Sequence, residues 1–164
     1  MNDHVDNKRK KQTLFNIPLD SFSNYLNVNL IALFSVCREF ARNNKKGSIV
    51  NFSATTGIVS ARPDLYNGSH KHIGYSVSKA GVINLTKYLA TYWNENGVRV
   101  NALVPGGVYD GQSKEFVEKL SKLIPLGRMA EVDEYKSSVA YLISDASSYM
   151  TGSVVVVDGG RTSW

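Results

Sequence analysis

Apolar side chains recur every three or four positions in the segment that begins at Pro18. They are Phe22, Leu26, Leu30, Leu33, Cys37 and Phe40. This spacing places them on one face of a helix, and proline fits the first turn because its missing N–H has no partner there. Lys45 and Lys46 are favourable at the negative end of the helix dipole. The pattern predicts an amphipathic helix from Pro18 to about Asn43, preceded by a polar arm or loop over residues 1–17.

Three short segments have the character of β-strands. Ser48–Ser53 is mainly apolar, and Val98–Val104 alternates apolar and polar residues before Pro105-Gly106-Gly107 ends it. Val154–Val157 is a continuous β-branched run, which is typical of a strand buried on both faces of a parallel sheet. Helices are predicted over about 74–96, 113–123 and 132–144, and residues 54–73 are predicted to be irregular.

Strands separated by helices predict an α/β fold with a parallel sheet and right-handed crossovers. Three strands are fewer than the four to six that are usual in a sheet. At 164 residues we expect one domain, covering residues 18–164 after the N-terminal arm.

Composition excludes several classes of protein. A single cysteine, Cys37, cannot form an internal disulfide, and three histidines with no further cysteine make a metal site improbable; we expect none. The chain has no apolar run long enough for a membrane span and does not open on a signal peptide, which predicts a cytoplasmic protein. The net charge of +5 includes the cluster Lys8–Lys11. Four such charges are usually solvated, and we expect no nucleic-acid binding.

Tyr75 and Lys79 are four positions apart on a predicted helix and therefore share one face. An ammonium beside a phenol favours the phenolate, so we expect Lys79 to lower the pKa of Tyr75 towards the range of a general acid or base. Such a pair could move a proton to or from a carbonyl or alcohol oxygen. The same spacing also arises by chance on helix surfaces.

Five motifs surround this pair in a specific order. They read Gly47-Ser-Ile-Val-Asn-Phe-Ser53, Gly74-Tyr-Ser-Val-Ser-Lys-Ala-Gly81, Val98-Arg-Val-Asn-Ala-Leu-Val-Pro-Gly-Gly107, Asp145-Ala-Ser-Ser-Tyr-Met-Thr-Gly152 and Val157-Asp-Gly-Gly160. The series resembles the short-chain dehydrogenase/reductase family from about Pro18 to Trp164. The resemblance implies an NAD(P)-dependent oxidoreductase with a Rossmann-like three-layer sandwich, incomplete in this chain.

The resemblance also implies roles for individual residues. Tyr75 would exchange a proton with the substrate oxygen, while Lys79 would tune it and bind the nicotinamide ribose. Asn29 matches an asparagine that holds a proton-relay water, although a solvent-facing asparagine is an alternative. The turn that contacts the nicotinamide carboxamide matches Pro105, Gly106 and Val108. Turn geometry alone could also require its glycines.

The family pattern breaks at the serine that hydrogen-bonds the substrate oxygen. The matching position holds Ala54, and alternation along the strand points Ser53 to the opposite face. Thr55 comes one place later and could reach the site if the loop bends. Loss of such a donor costs on the order of 10²–10³ in rate by analogy with an oxyanion hole.

The dinucleotide-binding half of the family pattern is also missing. The thirteen glycines include neither Gly-x-Gly-x-x-Gly nor the family's Thr-Gly-x-x-x-Gly-x-Gly, whose backbone approaches a pyrophosphate. The residue that selects NAD or NADP is absent too. We therefore expect the C-terminal part of an enzyme, starting in the loop after the fourth strand and inactive or nearly so by itself. The alternative is a non-catalytic remnant or interaction subunit.

Substrate and partners are predicted only by resemblance. Asp110-Gly-Gln112, the long loop before Tyr75 and the Asp-Gly-Gly ending resemble members that process sugars or nucleotide sugars, some linked to flagellin modification. We expect a small carbonyl or alcohol substrate, with a sugar as one candidate, and a homo-oligomer. Ala80 and Gly81 would allow close helix packing, and the aromatic residues Tyr88, Tyr92 and Trp93 would lie in the core or an interface. A sheet lacking one edge should aggregate or associate.

Overall fold

The computed structural model describes residues 13–164, so most of the predicted arm and the Lys8–Lys11 cluster lie outside the described residues. The α-helices are α1 (Leu19–Leu26), α2 (Ala32–Asn43), α3 (Ile73–Tyr92), α4 (Lys114–Ser121) and α5 (Lys136–Ile143). The strands are β1 (Gly47–Phe52), β2 (Val98–Pro105) and β3 (Val154–Val157). This order of helices and strands is the predicted one, except that α1 and α2 stand where a single helix was predicted.

The three strands form one parallel sheet in the order β1-β2-β3. Gly47 pairs with Val98 and Ala102 with Val154. A cluster that includes residues of α2 and α3 packs on one face, while Leu142 of α5 packs with Leu103 on the other. The fold is therefore the predicted three-layer α/β arrangement with a Rossmann-like parallel sheet. None of the helices between residues 13 and 164 has the length and hydropathy needed to cross a bilayer.

Cys37 lies on the face of α2 that packs against the sheet, and it is 3% exposed. Its place in the apolar pattern of the helix predicted this burial. Its thiol donates a hydrogen bond to Asn51 Oδ1 at 3.4 Å, and Asn51 Nδ2 donates to Thr86 Oγ1 at 3.0 Å. Burial raises the pKa of the thiol, although the Asn51 contact opposes this. The group joins α2, β1 and α3 through satisfied polar contacts, so Cys37 has a packing role.

The expectation that Val154–Val157 is buried on both faces is wrong. The strand is half-buried, and Val156 is 40% exposed. Within the described residues β3 pairs with β2 alone, so it is an edge strand of this sheet. At the opposite edge β1 also pairs only with β2, and Phe52 is 44% exposed there. The β-branched run identified a strand, but its burial depends on neighbouring elements that the run does not encode.

The long first helix contains a feature that the sequence pattern did not predict. A π-helical turn, Asn27–Ile31, separates α1 from α2. Such a turn adds a residue to the helix and is frequent at functional sites. Just beside it, Leu30 packs over Gly81 of α3, where an added Cβ would lie 2.8 Å from Leu30 Cδ2. The close packing predicted for Gly81 is therefore present, within this chain.

The turn after β1 packs tightly on the backbone of α3. Ser53 Oγ donates a hydrogen bond to the Lys79 carbonyl at 2.7 Å. Five residues after the strand, Gly57 approaches so closely that an added Cβ would lie 2.7 Å from the Lys79 carbonyl carbon. These contacts fix the loop after β1 against the middle of α3.

Gly57→Ala is expected to destabilise the protein, because its Cβ meets helical backbone that cannot move aside. The overpacking should lower the free energy of unfolding by about 1–3 kcal/mol, measured by urea denaturation. Ser60→Ala, a change at an exposed position of the same loop, should shift it by less than about 0.5 kcal/mol. Equal stability of the two variants would contradict the contact.

Candidate active site

His72 sets the start of α3. Its Nδ1 accepts a hydrogen bond from the Gly74 N–H at 3.1 Å, which caps the helix. Its Nε2 lies 3.1 Å from Ser21 Oγ, and its ring stacks on Tyr25 with centroids 4.2 Å apart. Both ring nitrogens are engaged, and the described residues hold no group of three or more His, Cys, Asp and Glu suited to a metal. The histidine orients the first turn, which carries Tyr75.

Tyr75 is 9% exposed and lies near two ammonium groups. Lys71 Nζ is 4.2 Å from the centroid of its ring, and Lys79 Nζ is 5.9 Å from that centroid. Lys79 Nζ also donates a hydrogen bond to the Phe52 carbonyl at 2.8 Å. The structure therefore brings the predicted pair together beside the end of β1.

The predicted lowering of the Tyr75 pKa does not occur in this structure. Burial raises the pKa of Tyr75 to about 12, and the neighbouring hydroxyls of Tyr66 and Tyr25 contribute in the same direction. Burial also lowers the pKa of Lys79. The expectation failed because it considered only the attraction between the two groups and omitted the desolvation of the phenolate. At neutral pH Tyr75 is consequently a protonated hydrogen-bond donor.

A cavity of about 510 Å³ opens beside Tyr75 at the carboxyl ends of the strands. Ala54–Thr56 lines it after β1, Pro105–Val108 at the end of β2, and Arg161 after β3. Crevices at this edge of parallel α/β sheets are the usual ligand sites. Of the residues predicted for the site, those that line the cavity are Tyr75, Thr55, Pro105, Gly106 and Val108.

Asn29 contacts α3 but does not line this cavity. Its Nδ2 donates to Ser78 Oγ at 3.1 Å, and Ser78 Oγ donates to the Tyr75 carbonyl at 2.7 Å. The π-helical turn carries Asn29, so the irregular helix and the Tyr75 turn are joined through one hydroxyl. Asn29 and Lys79 are thus next to Tyr75 without lining the cavity.

The loop after β1 places Ala54 at the cavity and turns Ser53 away from it. Ala54 is 8% exposed and packs with Tyr25 and Tyr75. Thr55 and Thr56 follow it, and both line the cavity. Thr56 Oγ1 is buried and has no hydrogen-bond partner within the described structure. Sequence reasoning considered Thr55 but missed Thr56, whose only signal was its place in the same threonine pair.

Gly106 has a structural reason to be glycine. An added Cβ would lie 2.8 Å from Asp158 Cα, and the Gly106 N–H donates to the Val157 carbonyl at 2.9 Å. The loops after β2 and β3 therefore meet at this residue. Gly106 is therefore required by the geometry of the turn, and it also forms part of the cavity wall.

Sequence reasoning also missed the cations and the aromatic residue around Tyr75. Lys71, Tyr66 and Arg161 all line the cavity. Tyr66 packs against Phe116 of α4 with ring centroids 6.1 Å apart, so α4 lies over the loop before Tyr75. These positions are separated by up to 95 residues in sequence (66 to 161), and no local pattern connects them.

Comparisons with known proteins agree with this architecture. The family model described as Enoyl-(Acyl carrier protein) reductase matches residues 5–162. D-arabinitol 2-dehydrogenase [ribulose-forming] from Candida tropicalis is 39% identical over 160 residues, which cover 90% of this chain and 54% of that protein. The chain thus spans about half the length of this curated relative.

Solved structures show the same resemblance. A short-chain dehydrogenase from Leptospira borgpetersenii with bound NAD+ is 34% identical with a TM-score of 0.85, covering 92% of this chain and 60% of that one. A gluconate 5-dehydrogenase from Burkholderia cenocepacia in complex with NADP and tartrate is 26% identical with a TM-score of 0.80, covering 93% and 60% respectively. The sequence motifs, the sheet and the family match lead to one assignment: this chain belongs to the short-chain dehydrogenase/reductase family.

Proposed function

We propose that this chain provides the catalytic part of a nicotinamide-dependent oxidoreductase, which exchanges a hydride with a carbonyl or secondary alcohol. The observation that carries the proposal is the placement of Tyr75 in the wall of the cavity with Lys79 one helical turn away. A phenol near a cation, at the carboxyl edge of a parallel sheet, suits proton exchange with a substrate oxygen.

The chain's own residues account for the proton. In reduction of a carbonyl, Tyr75 Oη donates its proton to the substrate oxygen as the carbonyl carbon gains a hydride, and an alcohol and a phenolate result. Lys79 stabilises that phenolate by its positive charge. Asn29, connected to the Tyr75 turn through Ser78, is suited to hold a water that returns the proton from solvent. Oxidation of an alcohol reverses these proton steps.

The residues present fit the nicotinamide end of NAD or NADP. Pro105, Gly106 and Val108 line the same cavity as Tyr75, and Lys79 lies one helical turn further along α3. When bound, the nicotinamide ring would supply or accept the hydride. No Gly-rich phosphate-binding motif occurs among the thirteen glycines of the 164 residues. The chain by itself is therefore proposed to be inactive or nearly so.

The proposed substrate is a small polyhydroxylated compound. The cavity combines hydroxyl, amide and charged groups with apolar walls, which suits a ligand rich in hydroxyls. The relatives named for arabinitol and gluconate support this class. A sugar or sugar derivative is the form of substrate that the surrounding loops favour.

A nicotinamide titration tests this proposal. The 164-residue chain should not enhance NADH or NADPH fluorescence at micromolar concentrations. The same chain fused behind the segment that precedes the matched region in the Candida tropicalis relative should bind one of them and reduce ketoses.

The two parts of the test fail separately. Micromolar binding by the 164-residue chain would contradict the need for a glycine-rich half. A folded fusion that binds NADH or NADPH but turns over no polyol or ketose would contradict the oxidoreductase function.

An interaction subunit is the second candidate function. Tyr88 and Tyr92 stack with centroids 6.2 Å apart on α3, and they are 65% and 70% exposed. Trp93, in contrast, is in the core. Exposed aromatic pairs favour association, and we infer that this helix contacts a second copy of the chain. Ala54 at the serine position also favours the non-catalytic alternative, which the fused protein distinguishes by its turnover.

A further inference from the structure

We propose that Tyr66 determines substrate specificity by forming a hydrogen bond with a hydroxyl group of the substrate. The inference rests on the oxidoreductase function proposed above and adds a second tyrosine, which recognises the substrate and takes no part in proton exchange. It starts from the cavity of about 510 Å³, which both Tyr66 and Tyr75 line. A substrate that reacts at Tyr75 has its remaining carbon atoms in the same cavity as Tyr66.

The Tyr66 hydroxyl has no partner, although the side chain is buried. Tyr66 is 8% exposed, and its Oη forms no hydrogen bond within the described residues. In this part of the chain, Thr56 Oγ1 is the fully buried side-chain oxygen that lacks a partner, and Tyr66 Oη is not in that state. The hydroxyl of Tyr66 therefore keeps some exposure in a residue that lines the cavity. Buried tyrosine hydroxyls usually have a hydrogen-bond partner, and a ligand in the cavity would supply one.

The local structure holds Tyr66 in place before a ligand binds. The residue ends the 3-10 turn Pro63–Tyr66, whose proline restricts the backbone. Asn67 follows with a φ of 48°, and the Tyr66 carbonyl accepts a hydrogen bond from the Ser69 N–H at 2.8 Å. The ring packs against Phe116 of α4. None of these contacts uses the hydroxyl, so the phenol is oriented and its Oη remains available to a ligand.

A hydroxyl group of the substrate matches this phenol in chemistry. Each of the two groups can donate one hydrogen bond and accept another, and burial raises the pKa of Tyr66, which keeps it protonated at neutral pH. Leu65 and Phe116 make the neighbouring wall apolar. A substrate without the hydroxyl would fill the cavity and leave the phenol unpaired, which is costly. Sites of this kind discriminate against analogues that lack the bonded group.

Two five-carbon alcohols test the preference on the 164-residue chain by NMR chemical-shift titration. Xylitol carries a hydroxyl on every carbon, whereas 3-pentanol carries only a secondary alcohol of the kind that would react. Tyr66→Phe removes the hydroxyl and keeps the ring that packs on Phe116. We expect it to weaken xylitol binding about 5-fold, the effect of one neutral hydrogen bond, and to leave 3-pentanol binding unchanged.

Controls separate recognition from a structural role of Tyr66. Tyr66→Phe should leave the urea midpoint of unfolding unchanged, because the hydroxyl forms no hydrogen bond within the described residues. Tyr149→Phe makes the same change at a fully exposed tyrosine and should leave the binding of both alcohols unchanged. In the fused protein, Tyr66→Phe should lower kcat/KM about 5-fold for D-xylulose and leave kcat/KM for 2-pentanone unchanged. The pH dependence of both reactions should stay the same.

Several results would overturn the proposal. They are no measurable binding of xylitol by the parent chain, equal xylitol affinity of the parent and Tyr66→Phe chains, and an equal loss for xylitol and 3-pentanol. These binding measurements do not depend on turnover. A fused protein that reduces D-xylulose equally well with and without the Tyr66 hydroxyl would reject only this inference. A fused protein without turnover, beside a chain whose xylitol affinity depends on Tyr66, would support the binding site and contradict the oxidoreductase function.

Discussion

Tyr75→Phe is expected to lower hydride exchange by the fused protein about 10²- to 10⁴-fold, the range for loss of a general acid or base. We expect this loss because the Tyr75 side chain lines the cavity and lies near both Lys71 and Lys79. Rates of ketose reduction and polyol oxidation measure the effect. Tyr149→Phe, at a fully exposed tyrosine, should leave both rates unchanged.

The raised pKa of Tyr75 adds a pH signature. Oxidation needs the phenolate, so its rate should increase with pH up to a pKa of about 12 unless the bound dinucleotide lowers that pKa. Reduction needs the phenol and should not increase over the same range. A Tyr75→Phe protein that keeps more than a tenth of the parent rate in both directions would contradict the assignment of Tyr75 as the proton donor.

The raised pKa of Tyr75 also predicts that the stability of the 164-residue chain decreases at high pH. The folded state holds its proton up to a pH of about 12, whereas an unfolded tyrosine loses it near 10. Between these values the unfolded state binds fewer protons, so the stabilisation present below pH 10 is lost as pH rises towards 12. The free energy of unfolding should decrease by roughly 3 kcal/mol because of this group. The decrease should be absent in Tyr75→Phe.

Ala54→Ser is expected to increase the rate of the fused protein, by up to about 10²–10³-fold if no other donor replaces the missing serine. Ala54 lines the cavity and packs directly with Tyr75, so a hydroxyl there lies beside the proposed proton donor. Steady-state kcat measures the gain. Ala32→Ser adds the same hydroxyl at an exposed position of α2 and should change nothing.

The size of the gain shows which threonine, if either, supplies a donor in the parent protein. A small gain, together with a large loss in Thr55→Val, would identify Thr55 as the replacement that sequence reasoning proposed. A large gain would show that neither threonine replaces the serine. An Ala54→Ser protein that is folded, binds NADH or NADPH and remains without turnover would favour the non-catalytic alternative.

Much of this fold could be predicted because its elements have strong local patterns. The spacing of apolar residues located α1–α2, the alternation of apolar and polar residues located β2, and a β-branched run located β3. The predicted ends of the helices differ from the observed ones where local hydrogen bonding determines the end. α3 ends at Tyr92 and not near residue 96, because a short 3-10 turn over Asn94–Asn96 and the positive φ of Gly97 end it.

The π-helical turn shows the limit of periodicity. Residues 18–43 were predicted as one regular helix because the apolar spacing tolerates a shift of one residue. The inserted turn at Asn27–Ile31 changes which side chains face α3, and it carries Asn29. The π-helical turn is visible only in the folded structure, where this segment packs against α3.

By itself, the sequence determined the order of the elements, the parallel α/β class and the Tyr75–Lys79 pair, because each depends on residues close together in the chain. Only the tertiary structure decided that burial raises the Tyr75 pKa and that Thr56 has an unsatisfied hydroxyl. It also brought Lys71 and Arg161 to one cavity. Desolvation and charge depend on which distant segments meet, and parallel strands bring together loops that are 50 or more residues apart in the chain, as the pairing of Ala102 with Val154 shows.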